Sequence, residues 1–186
     1  MKTLGLALLY TASVALANPA LADTAAADAA RAGDMKKLTF HSEAKPAGEA
    51  DFITFEGAPL NLSDWQGKWT LVNFWATWCA PCRHEMPMLS ALQDELGGDT
   101  FEVVTIATSR NPPAKMKAFF EEIGVSNLPL HRDPKSTLAR QMGILGLPVT
   151  VILNPEGEEV GRLTGDADWS SEEAKAVLTA LIGAEG

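Results

Sequence analysis

Apolar positions along this chain fall into two rhythms. Trp69 to Trp75, Phe101 to Ala107 and Val149 to Leu153 are nearly continuous apolar runs of the kind that form strands buried on both faces. Between and after them the spacing becomes helical: Met86, Leu89, Leu92 and Leu96; then Met116, Phe119, Phe120 and Ile123; finally Ala176, Val177, Ala180 and Leu181. Leu128 to His131 and Glu159 to Leu163 read as shorter strands, and Ser136 to Met142 as a short helix. The punctuation agrees. Gly97-Gly98, Gly124 and Gly143 close helices, Asn154-Pro155-Glu156-Gly157 is a tight turn, and Ser170 with Glu173 forms a capping box that Trp169 can staple. Pro87 falls inside a helical pattern and predicts a kink. Upstream, Phe52 and Phe55 flank a short extended segment, and Ser63 can cap a single turn ending at Trp65. The order of these elements predicts an α/β sandwich: a mixed central sheet, parallel through its βαβ half and antiparallel at the hairpin edge, flanked by helices.

The amino-terminal region has a different texture. Lys2, an apolar run from Leu4 to about Ala17, and Ala20-Leu21-Ala22 have the three regions of an export signal over residues 1–22, with an uncleaved anchor as the alternative. Residues 23–50 read as an Ala/Asp-rich leader and irregular segment, and residues 51–184 as the folded domain. The chain of 186 residues has a formal net charge of −9, and no Lys/Arg cluster offsets it, so a nucleic-acid partner is excluded. Export also places the 2 cysteines where a disulfide persists.

Both cysteines stand in one motif, Trp78-Cys79-Ala80-Pro81-Cys82, between a core strand and a helix. Cys79 falls at the helix start, where free N–H groups and the helix dipole favour a thiolate, and Cys82 lies one turn on. Pro81 suits the first turn, where its missing N–H costs little. Glu85 follows Cys82 by three and precedes Leu89 by four, which turns a carboxylate toward the apolar face. Desolvation there raises its pKa and suits it to exchange protons with Cys82; the alternative is a packed stem with its head in water. His84 points elsewhere and reads as a surface residue, Arg83 as a solvated cation near the thiols, and Trp78 as an aromatic contact or lid beside Cys79.

The motifs LVNFWATWCAPCRHEMP and, further on, GLPVTVILNPEGEEVGR resemble the thioredoxin superfamily, and within it the TlpA/ResA/CcmG branch of exported thiol–disulfide oxidoreductases. The resemblance spans about residues 51–181. It implies a thioredoxin-like fold with an extra central segment between about Arg110 and Leu145, and it needs no cofactor or metal. Carried over by residue, Cys79 is the nucleophile, Cys82 the resolving thiol, Glu85 the buried acid, and Pro148 the cis-proline beside the active-site disulfide. Trp78, Pro81 and Leu147 are then substrate contacts. Asn73 takes the strand position where ordinary thioredoxin has aspartate. Members of the branch typically work in the periplasm, reducing cysteine pairs of apocytochrome c or of the copper-site proteins of cytochrome oxidase, with electrons from a membrane thiol donor. The CcmG group commonly carries Gly-Val-Pro-Glu where this chain has Gly146-Leu147-Pro148-Val149, which favours the TlpA-like side. Two other readings use the same cysteines: an oxidase or isomerase of exported proteins, separated by reduction potential, and a non-enzymatic copper(I) module, to which thiolates are well suited.

Overall fold

A computed structural model describes residues 19–183. Most of the expected export signal, residues 1–18, therefore lies outside the described residues. The elements in order are α1 (Pro19–Ala29), β1 (Thr39–Pro46), β2 (Phe52–Ile53), β3 (Pro59–Leu60), β4 (Trp69–Trp75), α2 (Ala80–Leu96), β5 (Phe101–Thr108), α3 (Pro113–Glu122), β6 (His131–Asp133), α4 (Thr137–Gln141), β7 (Val149–Leu153), β8 (Glu158–Thr164) and α5 (Glu172–Ile182). The strands form one mixed sheet in the order β1-β8-β7-β4-β5-β6-β2-β3, parallel at β4–β5 and β5–β6 and antiparallel at the other pairings. This is the thioredoxin-like α/β sandwich the sequence predicts.

β4 is central, so every one of its residues is buried, and its side chains alternate between two cores. Val72 and Phe74 face a smaller cluster with Val104, Ile106, Val149 and Val151. Leu71 and Trp75 face the larger one, formed with Met86, Leu89, Leu92, Val177 and Leu181 from α2 and α5. On that same larger face, one row across three strands is polar: Thr105, Asn73 and Thr150 stand in register on β5, β4 and β7. An apolar face broken by one aligned polar row is where a buried polar group from a covering helix can be satisfied.

Residues 24–50, expected as a leader with an irregular segment, pack onto the body of the domain. Ala27, Met35 and Leu38 are fully buried in the larger core, and β1 pairs with β8 to complete one edge of the sheet. Two caps also sit one or two residues from their predicted places. Asn61, with Asp64, caps the 3-10 turn Leu62–Trp65, and Ser171 rather than Ser170 caps α5, its hydroxyl accepting from the Ala174 N–H. The strand expected at Leu128 to His131 forms at His131–Asp133. Helix α2 runs on past Pro87 to Leu96 and ends at Gly97 in an extended conformation, not a left-handed one. Glycine is required there for space: a Cβ would stand 2.3 Å from the Gln93 carbonyl oxygen.

Candidate active site

Three segments meet at one end of the sheet. β4 runs out of Trp75 through Ala76-Thr77-Trp78 into Cys79, which is the N-cap of α2. β7 runs antiparallel to β4 with Val149 opposite Phe74, so Pro148, joined to Leu147 by a cis peptide bond, arrives at the same end. The loop after β5 is bound to the turn before Cys79: the Asn111 Oδ1 accepts from the Thr77 N–H at 2.8 Å and from its hydroxyl at 3.0 Å, while its own amide donates to the Thr108 carbonyl.

Cys79 and Cys82 are joined in a disulfide at the first turn of α2. The Cys79 Sγ accepts from the Cys82 N–H at 3.2 Å, so this sulfur occupies the place of a capping oxygen and faces a free helix-end donor. A thiolate on Cys79 would be held by the same N–H and by the helix dipole. Cys79 is 6% exposed and Cys82 fully buried, so an incoming group reaches the first sulfur and not the second. Pro81 lies exposed in the first turn.

One turn beneath Cys82, Glu85 is 0% exposed. Its two carboxylate oxygens accept from different elements: Oε1 from the Asn73 Nδ2 at 2.8 Å, Oε2 from the Trp169 indole Nε1 at 3.2 Å. Asn73 Nδ2 also donates to the Thr150 hydroxyl at 3.0 Å, which makes the polar row of the sheet the floor of this site. Burial pushes the Glu85 carboxyl up to about 7; the donors from Asn73, Trp169 and the Ala167 backbone pull it down, and nearby Asp166 pushes up again. The result is an acid that changes charge near neutral pH, within one helical turn of a buried thiol. Asn73 Oδ1 is buried without a partner. An amide in that position can turn, so it can donate to the carboxylate or accept from the carboxylic acid.

Toward solvent the site is open. Trp78 is 65% exposed and stands between two grooves. One, of about 360 Å³, is walled by Ile144, Leu145 and Leu147 on the Pro148 side, with Leu145 98% exposed at its rim. The other, of about 550 Å³, lies between the starts of α2 and α3. Arg83 covers the Phe119 ring there, 4.6 Å from its centroid, and pairs with Glu122 at 3.1 Å. His84 is exposed, 3.5 Å from Asp166. Among the described residues no group of three or more His, Cys, Asp or Glu side chains is placed to hold a metal ion.

Of the residues singled out in the sequence, Cys79, Cys82, Glu85, Pro148, Trp78, Pro81 and Leu147 all come to this end of the sheet or the first two turns of α2. Trp169, Thr150 and Asn111 are residues of the site that the spacing did not reveal, and Trp169 is the most telling. Its expected role was to staple α5, yet it is fully buried with its N–H on Glu85, 84 residues away in sequence. The available signal was chemical: an indole in a core needs an acceptor for its N–H.

The sequence profile of the AhpC/TSA family matches residues 43–158. The chain belongs to that family. It is 34% identical to the "Thioredoxin-like protein YneN" of Bacillus subtilis over 66% of this chain and 71% of that protein. It is 32% identical to the "Thiol-disulfide oxidoreductase ResA" of the same organism, over 59% of this chain and 60% of that one. Among solved structures, the thioredoxin-family thiol:disulfide interchange protein from Chlorobium tepidum superposes with a TM-score of 0.60 at 26% identity, covering 76% of this chain and 99% of that one. The chain is thus a thioredoxin-fold protein related to ResA-type enzymes, and a thiol:disulfide oxidoreductase.

Proposed function

We propose that this oxidoreductase is exported to the periplasm and reduces disulfides in client proteins, among them apocytochrome c or the copper-site proteins of cytochrome oxidase. The observation that carries the reading is the buried Glu85 carboxyl one turn behind the Cys79–Cys82 pair, held by Asn73 and Trp169. In the reduced protein the Cys79 thiolate attacks a client disulfide, forming a mixed disulfide and expelling one client thiolate, which takes a proton from water. Cys82 then gives its proton to Glu85 and attacks the Cys79 sulfur. The second client thiolate leaves, and two electrons have passed from protein to client. Glu85 returns its proton to solvent, and a membrane thiol donor re-reduces the pair. Trp78, Pro81, Leu147 and Pro148 are the surface that holds the client chain across the sulfurs. The export signal pattern over residues 1–22 supports the location; among the described residues no helix is long and apolar enough to cross a membrane.

The test is the equilibrium reduction potential of the pair in a glutathione or dithiothreitol buffer. A value near thioredoxin's, about −270 mV, is expected; one near about −120 mV would reverse the electron flow and make the protein a disulfide-forming oxidase.

A further inference from the structure

The groove between the starts of α2 and α3 is not needed for the exchange chemistry, and its charge runs against that of the protein. The chain as a whole is formally −9. This groove nevertheless brings together Arg83, Arg110 and Lys115, with Glu122 as the one carboxylate on its wall. Glu122 is already engaged by Arg83. Arg110 and Lys115 are both exposed and make no ion pair with any described residue. The exposed Trp78 ring also lines the groove, and the residue after Trp78 is Cys79. The backbone next to Arg110 is anchored, because the Asn111 side chain is bonded to the Thr77 backbone and hydroxyl and to the Thr108 carbonyl.

We propose that this groove binds an acidic segment of the client, lying a few residues to one side of the client cysteine that Cys79 attacks. The proposal rests on the oxidoreductase reading above and adds to it the class of sequence preferred. The groove begins at Trp78, next to Cys79; an extended chain advances about 3.3–3.6 Å per residue, so a carboxylate roughly two to five positions from the attacked cysteine is the one presented to it. Two unpaired cations on an anionic protein give a local attraction for such a segment. The net negative charge of the protein disfavours undirected approach of acidic chains, so the groove also biases orientation. The exposed Trp78 ring adds contact for the stems of Asp and Glu or for an interleaved aliphatic residue.

The test uses the whole reduced protein and two disulfide-containing peptides that differ only in carrying Asp-Glu or Gly-Ser at those positions; the readout is the ratio of their second-order reduction rates. The acidic peptide is expected to react about tenfold faster at low ionic strength. The ratio should fall to within about twofold in roughly 0.5 M salt, where the screening length is only a few ångströms. In the Arg110→Glu/Lys115→Glu protein the ratio should drop below one, and in the milder Arg110→Gln/Lys115→Gln protein it should fall toward one. Equal rates for the two peptides, or a ratio that survives both pairs of substitutions, would overturn the proposal alone. Failure to reduce either peptide would overturn the reductase reading and this proposal with it.

Discussion

Helix α2 carries its cysteines between two environments with almost no chemistry in common. Toward the sheet, Glu85 lies among Asn73, Trp169 and, beyond Asn73, Thr150, all buried and joined by hydrogen bonds of 2.8–3.2 Å. Toward solvent, Arg83 lies across Phe119, with Trp78, Arg110 and Lys115 around an open groove. The inner side has low polarizability and few polar atoms, so a single proton there changes energies by kilocalories. The outer side is hydrated, and its charges act on approach and orientation, screened by salt. The comparison teaches a division of labour along one helix. On the roles proposed above, the inner face governs when Cys82 gives up its proton, and the outer face governs which chain is presented to Cys79.

The largest break in this comparison lies at the sulfurs, which both sides serve. Cys79→Ser should lower turnover on every disulfide substrate by at least about 1,000-fold, because the remaining thiol, Cys82, is fully buried. Cys82→Ser should instead leave the first attack intact and accumulate a mixed disulfide on Cys79, visible as an adduct by mass spectrometry. An adduct on Cys82 in the Cys79→Ser protein would mean that the two roles are exchanged.

Next in size is the inner side alone. Between the ordinary glutamate pKa, near 4.5, and about 7, folded Glu85 holds a proton that the unfolded chain has released. The folded state binds more protons in that window, so stability falls as pH rises through it, by roughly 3 kcal/mol in all if no other group compensates. Glu85→Gln should remove that slope: close to the parent near pH 4.5, and more stable than it at pH 8 in urea melts. The amide has a place to fit, since Asn73 can turn its unpartnered Oδ1 toward the new donor. The same substitution should erase the inflection near pH 7 in the rate at which the mixed disulfide resolves. A profile that keeps this inflection would remove Glu85 from the proton path.

These two sides were not equally legible in the sequence. β4, α2 and the Cys79–Cys82 corner announce themselves by local periodicity and by a motif contained in a few residues, and the inward phase of Glu85 follows from counting turns. What completes the inner site comes from far along the chain. Trp169 reaches it from the residues before α5, and Thr150 reaches it through the β4–β7 register. Neither distance leaves a periodic trace. The segment 24–46 was hard to read for a different reason: its Ala/Asp composition predicts little core, yet Ala27, Met35 and Leu38 are buried and Ala30, Phe40 and Ala44 pack beside them, while β1 pairs with the edge of β8. The caps at Asn61 and Ser171 were off by one or two residues because neighbouring Asn and Ser are chemically equivalent caps, and only the backbone chooses between them.

Trp169 offers a finer probe of the inner side. Trp169→Phe keeps most of the packed ring and removes the one N–H that reaches Oε2. Burial continues to push the Glu85 carboxyl up while one of the donors that pull it down is gone, so its pKa should rise further, by about one unit for a single hydrogen bond to a charged group. The measurement is the midpoint of the pH–rate profile for resolution, which should move to higher pH with little change in its plateau. A loss of rate at all pH values without a moved midpoint would make Trp169 a packing residue only.

The smallest effect should come from the outer side, and its smallness is what distinguishes the two. Arg83→Met removes a half-exposed ion pair to Glu122 and a cation over Phe119 while keeping a stem of similar reach. A solvated pair contributes between nothing and about 1 kcal/mol, and a half-exposed guanidinium over the Phe119 ring about as much, with the methionine recovering some of the contact. Stability should therefore shift by less than about 1 kcal/mol, and that shift should shrink further in salt. The pH–rate midpoint set by Glu85 should not move at all, because hydrated charge on the far face of α2 is poorly coupled to a carboxyl sealed beneath it. A midpoint displaced by Arg83→Met would show that the two faces act as one electrostatic unit, and the separation between timing and recognition would have to be given up.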